Sequence, residues 1–345
     1  MVQPSRKRVR LSRRRILSSL CATGGVLLAG CVNEPDASNE TDGGDATAGD
    51  GGQTTPPDST QSVPELPEDT ASDACPSFES AERVVCYEAV DPEATPIVLA
   101  PESRSVRSDR STGFTLRNRS EQRFETNFYH WQLYKRADGD WYYIAPQSWP
   151  EPLTPLAAGD EHTWTVTVAN GRVGDGDSVE PVEGTESLTL AGLGGGHYAF
   201  GADGWFAAGS YEDPIALAAG FELEADPLQL RPTAAIAETE RDGETLVARS
   251  TRGEPDGDGD RPDAFVLERV DGSETDAERV IVEQVVRNDQ LRDAIALSRE
   301  RDADRVRLEE FSNSIPPFGL DDARTYEFRD ERYRVTTRAG DDGGG

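Results

Sequence analysis

The chain is poor in lysine and in large apolar residues. Of its 35 basic residues only two, Lys7 and Lys135, are lysines, and 65 acidic residues bring the net charge to −30. Hydrophobic residues make up 35% of the sequence, so we expect that part of the chain cannot bury a core. A surface this acidic repels phosphate backbones and anionic bilayers, which excludes nucleic acid as a direct partner.

This composition, rich in Asp and Glu and almost free of lysine, resembles that of haloarchaeal proteins. Dense surface carboxylates hold water and cations, and molar salt screens the repulsion between them. The resemblance implies that the charge is an adaptation to a saline solvent. The acidic surface is therefore not interpreted as a groove for cationic substrates.

Residues 1–30 have the features of an export signal. Seven basic residues between Arg6 and Arg15 precede an apolar stretch over residues 16–29. That stretch is shorter than the ~20 residues of a membrane-spanning helix. The segment around Arg13 and Arg14 resembles a twin-arginine (Tat) export motif.

The sequence Leu-Ala-Gly-Cys ending at Cys31 resembles a lipobox. This resemblance implies that the signal is cleaved before Cys31 and that the cysteine is lipidated. The membrane is then a partner through the lipid, and the protein lies on the extracellular face of the cell membrane. The alternative is an uncleaved anchor in which the cysteine is incidental.

The segment 31–74 has the composition of a spacer. From residue 32 to residue 74 it has no aromatic residue and no Lys or Arg, and eleven of these 43 residues are acidic. Such a segment cannot bury enough apolar surface to offset its chain entropy. We therefore predict a lipidated, acidic, disordered tether.

Two cysteines remain beyond the signal and the lipidation site. Cys75 and Cys86 would lie outside the cell, where a pair of cysteines usually forms a disulfide. A metal site is disfavoured because no His or further Cys is near in sequence. Asn39 and Asn118 each begin an N-x-S/T sequon and are candidate glycosylation acceptors.

Residues 75–232 contain several runs with the period-two alternation of β-strands. An Asp-Gly turn at Asp138 separates a strand predicted at 128–135 from one at 141–144, which predicts a hairpin. This "DGDW" hairpin, the following "LAAGDEHTWTVTV" and the late "GGHYAF" resemble the bacterial immunoglobulin-like domains of surface lipoproteins. The resemblance implies an antiparallel Ig-like β-sandwich.

All five tryptophans lie in this segment. Trp131 and Trp164 fall on apolar strand faces and are predicted to be core residues. Trp149 and Trp205 fall in loop-like contexts beside Pro150 and Gly204, which makes them candidates for a binding platform for glycans or peptides.

Residues 236–338 have a different pattern. Strands are predicted at 245–250, 264–270 and 305–311, and apolar residues between 280 and 297 have helical spacing. A hairpin is predicted around Tyr326 and Tyr333. The sum is a small α+β domain, followed by a disordered tail over residues 339–345. The predicted fold class of the whole chain is mainly β.

The sequence contains no recognisable catalytic or cofactor motif. It has no G-x-S-x-G elbow, no phosphate-binding loop and no metal-spaced Cys/His set, so no catalytic residue, metal or cofactor is assigned. The three histidines, His130, His162 and His197, lack ligand spacing. We expect a non-enzymatic surface module with a protein or glycan ligand. The alternative is an extracellular hydrolase with a scattered acid or histidine site.

Overall fold

A computed structural model of the chain describes residues 62–255, 257, 259–272 and 277–340. The signal peptide with Arg13 and Arg14, the lipidation site Cys31 and the sequon at Asn39 lie outside the described residues. So do residues 32–61 of the predicted tether and residues 341–345 of the predicted tail.

The described part of the chain is mainly β-structure. It belongs to one compact unit, Ser59–Gly345. Among the helices of the described ranges, none is both long enough and apolar enough to cross a membrane.

The first part of this unit is built from strands β1 to β12 and one short helix, α1. In chain order the strands are β1 (Arg83–Cys86), β2 (Ile97–Pro101), β3 (Ser105–Arg107), β4 (Ser111–Asn118), β5 (Phe124–Thr126), β6 (Gln132–Ala137), β7 (Asp140–Ala145), β8 (Thr154–Leu156), β9 (Glu161–Val168), β10 (Ser187–Leu190), β11 (Gly196–Phe206) and β12 (Ile215–Glu224). Helix α1 spans Gly171–Gly174, and a 3₁₀ turn follows β1 at Tyr87–Ala89.

The second part contains the remaining elements. They are β13 (Ile236–Asp242), β14 (Thr245–Ser250), β15 (Asp263–Arg269), β16 (Glu278–Arg279), α2 (Val282–Val285), α3 (Asp289–Glu300), β17 (Arg305–Glu310), β18 (Arg324–Phe328) and β19 (Glu331–Arg338). A further 3₁₀ turn spans Pro317–Gly319.

Strands β1 to β12 form two sheets. The large sheet has the order β1-β12-β11-β5-β8, with β3 beside β12, β6 beside β11 and β7 beside β6. The small sheet has the order β10-β9-β4-β2. Both contribute to one hydrophobic core, in which Phe114 of β4 stacks on Phe200 of β11 with ring centroids 4.6 Å apart.

The prediction of purely antiparallel pairing is wrong, because the sheets are mixed. β1 lies parallel to β12, and β10 lies parallel to its sequence neighbour β9. Parallel neighbours need a long connection rather than a tight turn. The segment from Ala169 to Glu186 supplies it between β9 and β10 and contains α1.

The hairpin predicted at the Asp-Gly turn is confirmed. β6 and β7 pair antiparallel up to Ala137 and Asp140. Asp138 and Gly139 between them have φ values of 52° and 92°, the left-handed conformation that two-residue hairpin turns require. However, β6 begins at Gln132 rather than at residue 128, because the Tyr129 amide is bound by the Asn127 side chain in a local turn.

Strands β13 to β19 form a third sheet with the order β13-β14-β17-β15-β19-β18-β16. The predicted strands at 245–250, 264–270 and 305–311 correspond to β14, β15 and β17 within one residue at each end. Helix α3 packs the apolar face of Leu291, Ile295 and their neighbours against this sheet. Its first turn is capped by the Asn288 side chain, which accepts from the Leu291 amide.

The described fold begins before residue 75, so the predicted end of the tether is too late. Asp69 accepts a hydrogen bond from the Val84 amide, and the Thr70 hydroxyl accepts one from the Cys86 amide. Small polar side chains here pair with β1 instead of with water. Composition alone does not distinguish this ordered segment before residue 75 from a spacer. The hydrogen bonds that hold it are made to the backbone of β1, more than ten residues further along the chain.

Buried charges join the two parts of the unit. We name this set the ionic junction, and its members are Lys135, Arg252, Glu283, Arg287, Arg292 and Asp293. Lys135 on β6 pairs with Glu283 on α2 and also donates to the carbonyls of Gly194 and Gly195 at 3.3 and 3.1 Å.

Two arginines of the ionic junction bind backbone carbonyls of the first part. Arg287 donates to the carbonyls of Ala191 and Gly192, and burial lowers its pKa to about 10. Arg292 on α3, which is 1% exposed, donates to the carbonyls of Val173 and Asp177. The helices are thereby fastened to loops on either side of β10.

The last pair of the ionic junction, Asp293 on α3 and Arg252 after β14, binds Thr233 in the segment that connects the two parts. Asp293 is fully buried and accepts from the amide and the hydroxyl of Thr233. It also accepts from Arg252 Nη2 at 2.7 Å, and Arg252 Nε donates to Glu310 at 2.7 Å. Every carboxylate oxygen of Asp293 is therefore bonded within the protein.

Candidate functional site

The face of the large sheet that points away from the shared core carries the candidate site. On β11 the residues Tyr198, Phe200 and Ala202 belong to the core. Because side chains alternate along a strand, Asp203 and Trp205 emerge from the opposite face, which we call the outer face. Both side chains are half-buried.

Trp149 lies against this outer face. Its ring stacks on the ring of His130 with centroids 4.2 Å apart and planes 15° apart. His130 Nδ1 in turn lies 3.1 Å from Asp203 Oδ1. A chain of two contacts thus fixes the Trp149 ring over the strand.

The loop that carries Trp149 is held from a second side. Asn127 Nδ2 donates to the carbonyl of Pro150, the next residue, at 2.7 Å. The position of Trp149 in a loop agrees with the sequence prediction, since it lies between β7 and β8. Its neighbours come from residues that the sequence pattern did not connect to it.

Trp205 lies in a strand, so its predicted loop context is wrong. It pairs with Glu125 of β5 inside the large sheet. The preceding Gly204 is required there because a Cβ atom at this position would lie 2.2 Å from the carbonyl oxygen of Glu125. The glycine therefore permits close strand packing rather than a turn.

Trp205 and Trp149 nevertheless belong to one surface. Trp205 follows Asp203 by two residues on the same face, which separates their Cα atoms by about 7 Å. The exposed ring of Tyr211 meets Trp205 edge-on, with centroids 6.5 Å apart. We call this surface the aromatic patch, and it consists of His130, Trp149, Asp203, Trp205 and Tyr211.

A buried amide borders the aromatic patch. Gln132 lies two residues from His130 on the outer face and is 4% exposed. Its Oε1 accepts from the Tyr134 hydroxyl at 2.8 Å, whereas its Nε2 has no hydrogen-bond partner among the described residues. A buried donor without a partner costs free energy until something accepts from it.

The two tryptophans predicted as core residues are confirmed. Trp131 and Trp164 are fully buried, and both pack on Phe200. Trp164 Nε1 donates to the carbonyl of Phe128 at 2.9 Å, so its polar atom is satisfied without solvent.

The three histidines do not form one site. His162 stacks on Phe128 and its Nε2 lies 2.6 Å from the carbonyl of Thr185, and burial lowers its pKa. His197 is exposed on β11 and lines a cleft with Arg104 and Trp141. Within the described ranges, no metal-capable group includes a histidine.

The predicted cysteine pair is at disulfide distance, with Cys75 and Cys86 Cα atoms 6.0 Å apart. Glu88 Oε2 lies 3.2 Å from Cys86 Sγ, and Glu88 Oε1 accepts from the Gly220 amide. Burial raises the pKa of Glu88. These three side chains could together supply metal ligands, but the disulfide engages both sulfur atoms.

The second sequon is not accessible in the fold. Asn118 is 1% exposed, and its Nδ2 donates to the carbonyls of Gln122, Leu156 and Ala157. An amide nitrogen with these partners cannot accept a glycan without unfolding the β4–β5 turn. The structure therefore argues against Asn118 as a glycosylation site.

Two open clefts of about 750 and 780 Å³ border the segment with α1. They are lined by mixed polar residues, among them Arg107 and Arg231 in the first and Arg172 and Glu180 in the second. Neither contains a member of the aromatic patch. In the second cleft the Ser178 hydroxyl donates to Asp289, but among the described residues no histidine lines either cleft, and the aromatic patch is the better candidate.

No protein-family model matches the chain, and no curated protein matches it.

Proposed function

We propose that this chain is a lipid-anchored, non-enzymatic binding protein of the cell surface. In this proposal Cys31 carries the lipid, residues from Cys31 onward act as the spacer, and an Ig-like β-sandwich with a small α+β domain is displayed outside the membrane. The aromatic patch is the surface that meets the ligand.

One observation supports the binding role above the others. Trp149 and Trp205, far apart in sequence, lie on one outer face near Asp203, Trp149 through its stack on His130 and Trp205 two residues along β11. Half-exposed rings held in place by other side chains are typical of recognition surfaces, because binding then costs little side-chain entropy.

Purification of the membrane-anchored protein in high salt tests the binding role. We expect a ligand to co-elute with the wild type and to be lost from the double variant Trp149→Ala/Trp205→Ala, because both rings are removed. The matched control is Trp141→Ala, which truncates a half-buried tryptophan on the same face outside the aromatic patch. Co-elution that persists in the double variant would contradict the proposed site.

Substitution of Cys31 tests the anchor separately. Cys31→Ser is expected to move the protein from the membrane fraction to the medium, since one acyl chain contributes ~0.8 kcal/mol per buried CH₂ and the acidic chain has no other attraction to the bilayer. Detergent phase partitioning followed by intact-mass measurement reads this out. A wild-type protein that by mass keeps residues 1–30 and has no lipid adduct on Cys31 would indicate the uncleaved anchor instead.

The alternative function, an extracellular hydrolase, is favoured by the contact of His130 with Asp203 at 3.1 Å. A carboxylate that orients an imidazole is one part of a general-base arrangement. In the co-elution experiment, turnover of the captured ligand that disappears in His130→Ala would favour this alternative.

A further inference from the structure

We infer that the aromatic patch binds a neutral carbohydrate. This inference rests on the proposed binding function and names the ligand class for the same site. Its evidence is the combination of two half-exposed indole rings on one face of the sheet and a carboxylate, Asp203, next to them.

The rings are preset before any ligand arrives. Trp149 is stacked on His130, and its loop is held through the bond from Asn127 to Pro150. The backbone of Trp205 is fixed by the pairing of β11 with β5, and its ring meets the Tyr211 ring edge-on. A pyranose offers one flat face of C–H groups, and such an apolar face packs on an indole ring that does not have to be ordered first.

The polar groups suit hydroxyl groups better than charges. Asp203 lies next to Trp205 on the outer face and contacts Trp149 through His130, and its carboxylate accepts hydrogen bonds. A sugar hydroxyl both donates and accepts, so it can donate to the Asp203 carboxylate without bringing a second charge to the site.

The charge of the chain restricts which carbohydrate fits. At low salt the net charge of −30 repels uronic-acid and sulfated polymers, whereas in high salt the direct contact with Asp203 is what opposes them. Asp203 itself lies in the middle of the aromatic patch, where a ligand carboxylate would meet it directly. The favoured ligand is therefore an uncharged glycan.

The aromatic patch also differs from a typical peptide site. Peptides that add to a sheet bind along the edge of a strand through main-chain hydrogen bonds. Here β11 lies between β12 on one side and β5 and β6 on the other, so both its edges are paired up to Gly204. The rings stand on the face of the sheet, where main-chain groups are not offered.

Binding of defined polysaccharides to the full-length protein in high salt tests the inference. The probes are soluble neutral glucan, mannan and xylan oligosaccharides, with alginate as the acidic comparison, followed by indole fluorescence and calorimetry. We expect saturable binding to at least one neutral probe and none to alginate. Trp149→Ala and Trp205→Ala should each weaken binding about tenfold or more, which corresponds to about 1.4 kcal/mol.

Two further variants separate recognition from folding. Trp149→Phe keeps a ring on His130 and should retain most of the affinity, whereas Trp141→Ala should bind like the wild type. Thermal unfolding of each variant verifies that the fold is intact. The inference would be overturned if W149F lost as much affinity for the neutral probe as W149A. It would also be overturned if W141A lost as much affinity as W149A.

The ligand class and the proposed function fail in different ways. If no neutral probe binds but a protein or peptide co-elutes in a manner that depends on Trp149 and Trp205, the carbohydrate is wrong and the binding surface stands. Binding of alginate as tight as that of the neutral probes would also overturn the carbohydrate assignment. If neither probe nor co-eluting ligand depends on these rings, both proposals fail.

Discussion

Replacing Asp293 with alanine is expected to lower the free energy of unfolding by about 3–5 kcal/mol. Asp293 is fully buried, and its carboxylate accepts from Arg252 and from the amide and hydroxyl of Thr233. Alanine leaves these buried donors without their acceptor, and each lost partner is costly in a region that water does not reach. Chemical denaturation in high salt measures the change.

The control for Asp293 is an exposed carboxylate on β13 of the third sheet. Glu240 pairs with Arg249 on the surface, and both side chains are about half exposed. Exposed pairs of this kind contribute about 0–1 kcal/mol, so Glu240→Ala should have little effect. A D293A protein no less stable than E240A would show that the ionic junction does not support the fold.

Replacing Lys135 with methionine is expected to have an effect of similar size. Lys135 is the one lysine beyond the signal segment, and its Nζ pairs with Glu283, whose side chain is 2% exposed. Methionine fills the space of the aliphatic stem but leaves Glu283 buried without its cation. The expected loss is about 3–5 kcal/mol, measured by the same denaturation.

A second substitution should recover much of that loss. In Lys135→Met/Glu283→Gln the buried charge is gone, while the glutamine oxygen can still accept from the Gly194 amide. The double variant is therefore expected to be more stable than K135M alone, with a coupling of about 0.5–3 kcal/mol. Additive losses in the double-mutant cycle would mean that the pair does not interact in solution.

The dependence on salt distinguishes this pair from the many surface charges. Salt screens exposed charges strongly and buried pairs much less. We expect the difference in the free energy of unfolding between K135M and the wild type to persist when NaCl is varied. The stability of the acidic protein as a whole should change with salt.

Local features of the fold could be predicted because nearby residues determine them. Asp138-Gly139 supplies a two-residue turn with positive φ, and this alone places the β6–β7 hairpin. Alternating apolar residues place Trp164 in the core for the same reason. Both inferences need only a short window of sequence.

Features that depend on distant partners could not be predicted. Glu283 lies 148 residues from Lys135, and no spacing rule connects an acid on a helix to a cation on a strand so far away. One feature of the sequence did single out Lys135. It is the one lysine beyond residues 1–30, where all other basic residues apart from histidine are arginines. The same limit applies to Trp149, whose ring is positioned by His130 and through it by Asp203.

The pairing of strands was the second feature that the sequence could not predict. Alternation indicates which residues form a strand but not which strand lies beside it. The parallel neighbours β1 and β12 are separated by more than a hundred residues, and their pairing depends on shape and burial across the whole sheet. Asn118 is a related case, because a sequon is a pattern of three residues whereas its burial depends on carbonyls up to 39 positions away.

The disulfide between Cys75 and Cys86 has a mechanical consequence. A force pulling on the chain from its N-terminal side first peels the residues before Cys75, which are held by few hydrogen bonds. At Cys75 the load passes through the sulfur bridge to Cys86, at the far end of β1, so the intervening residues are not stretched. The thirteen described residues before Cys75 can therefore be pulled off the fold and extended to roughly 45 Å. Only then does the force act on the parallel pairing of β1 with β12.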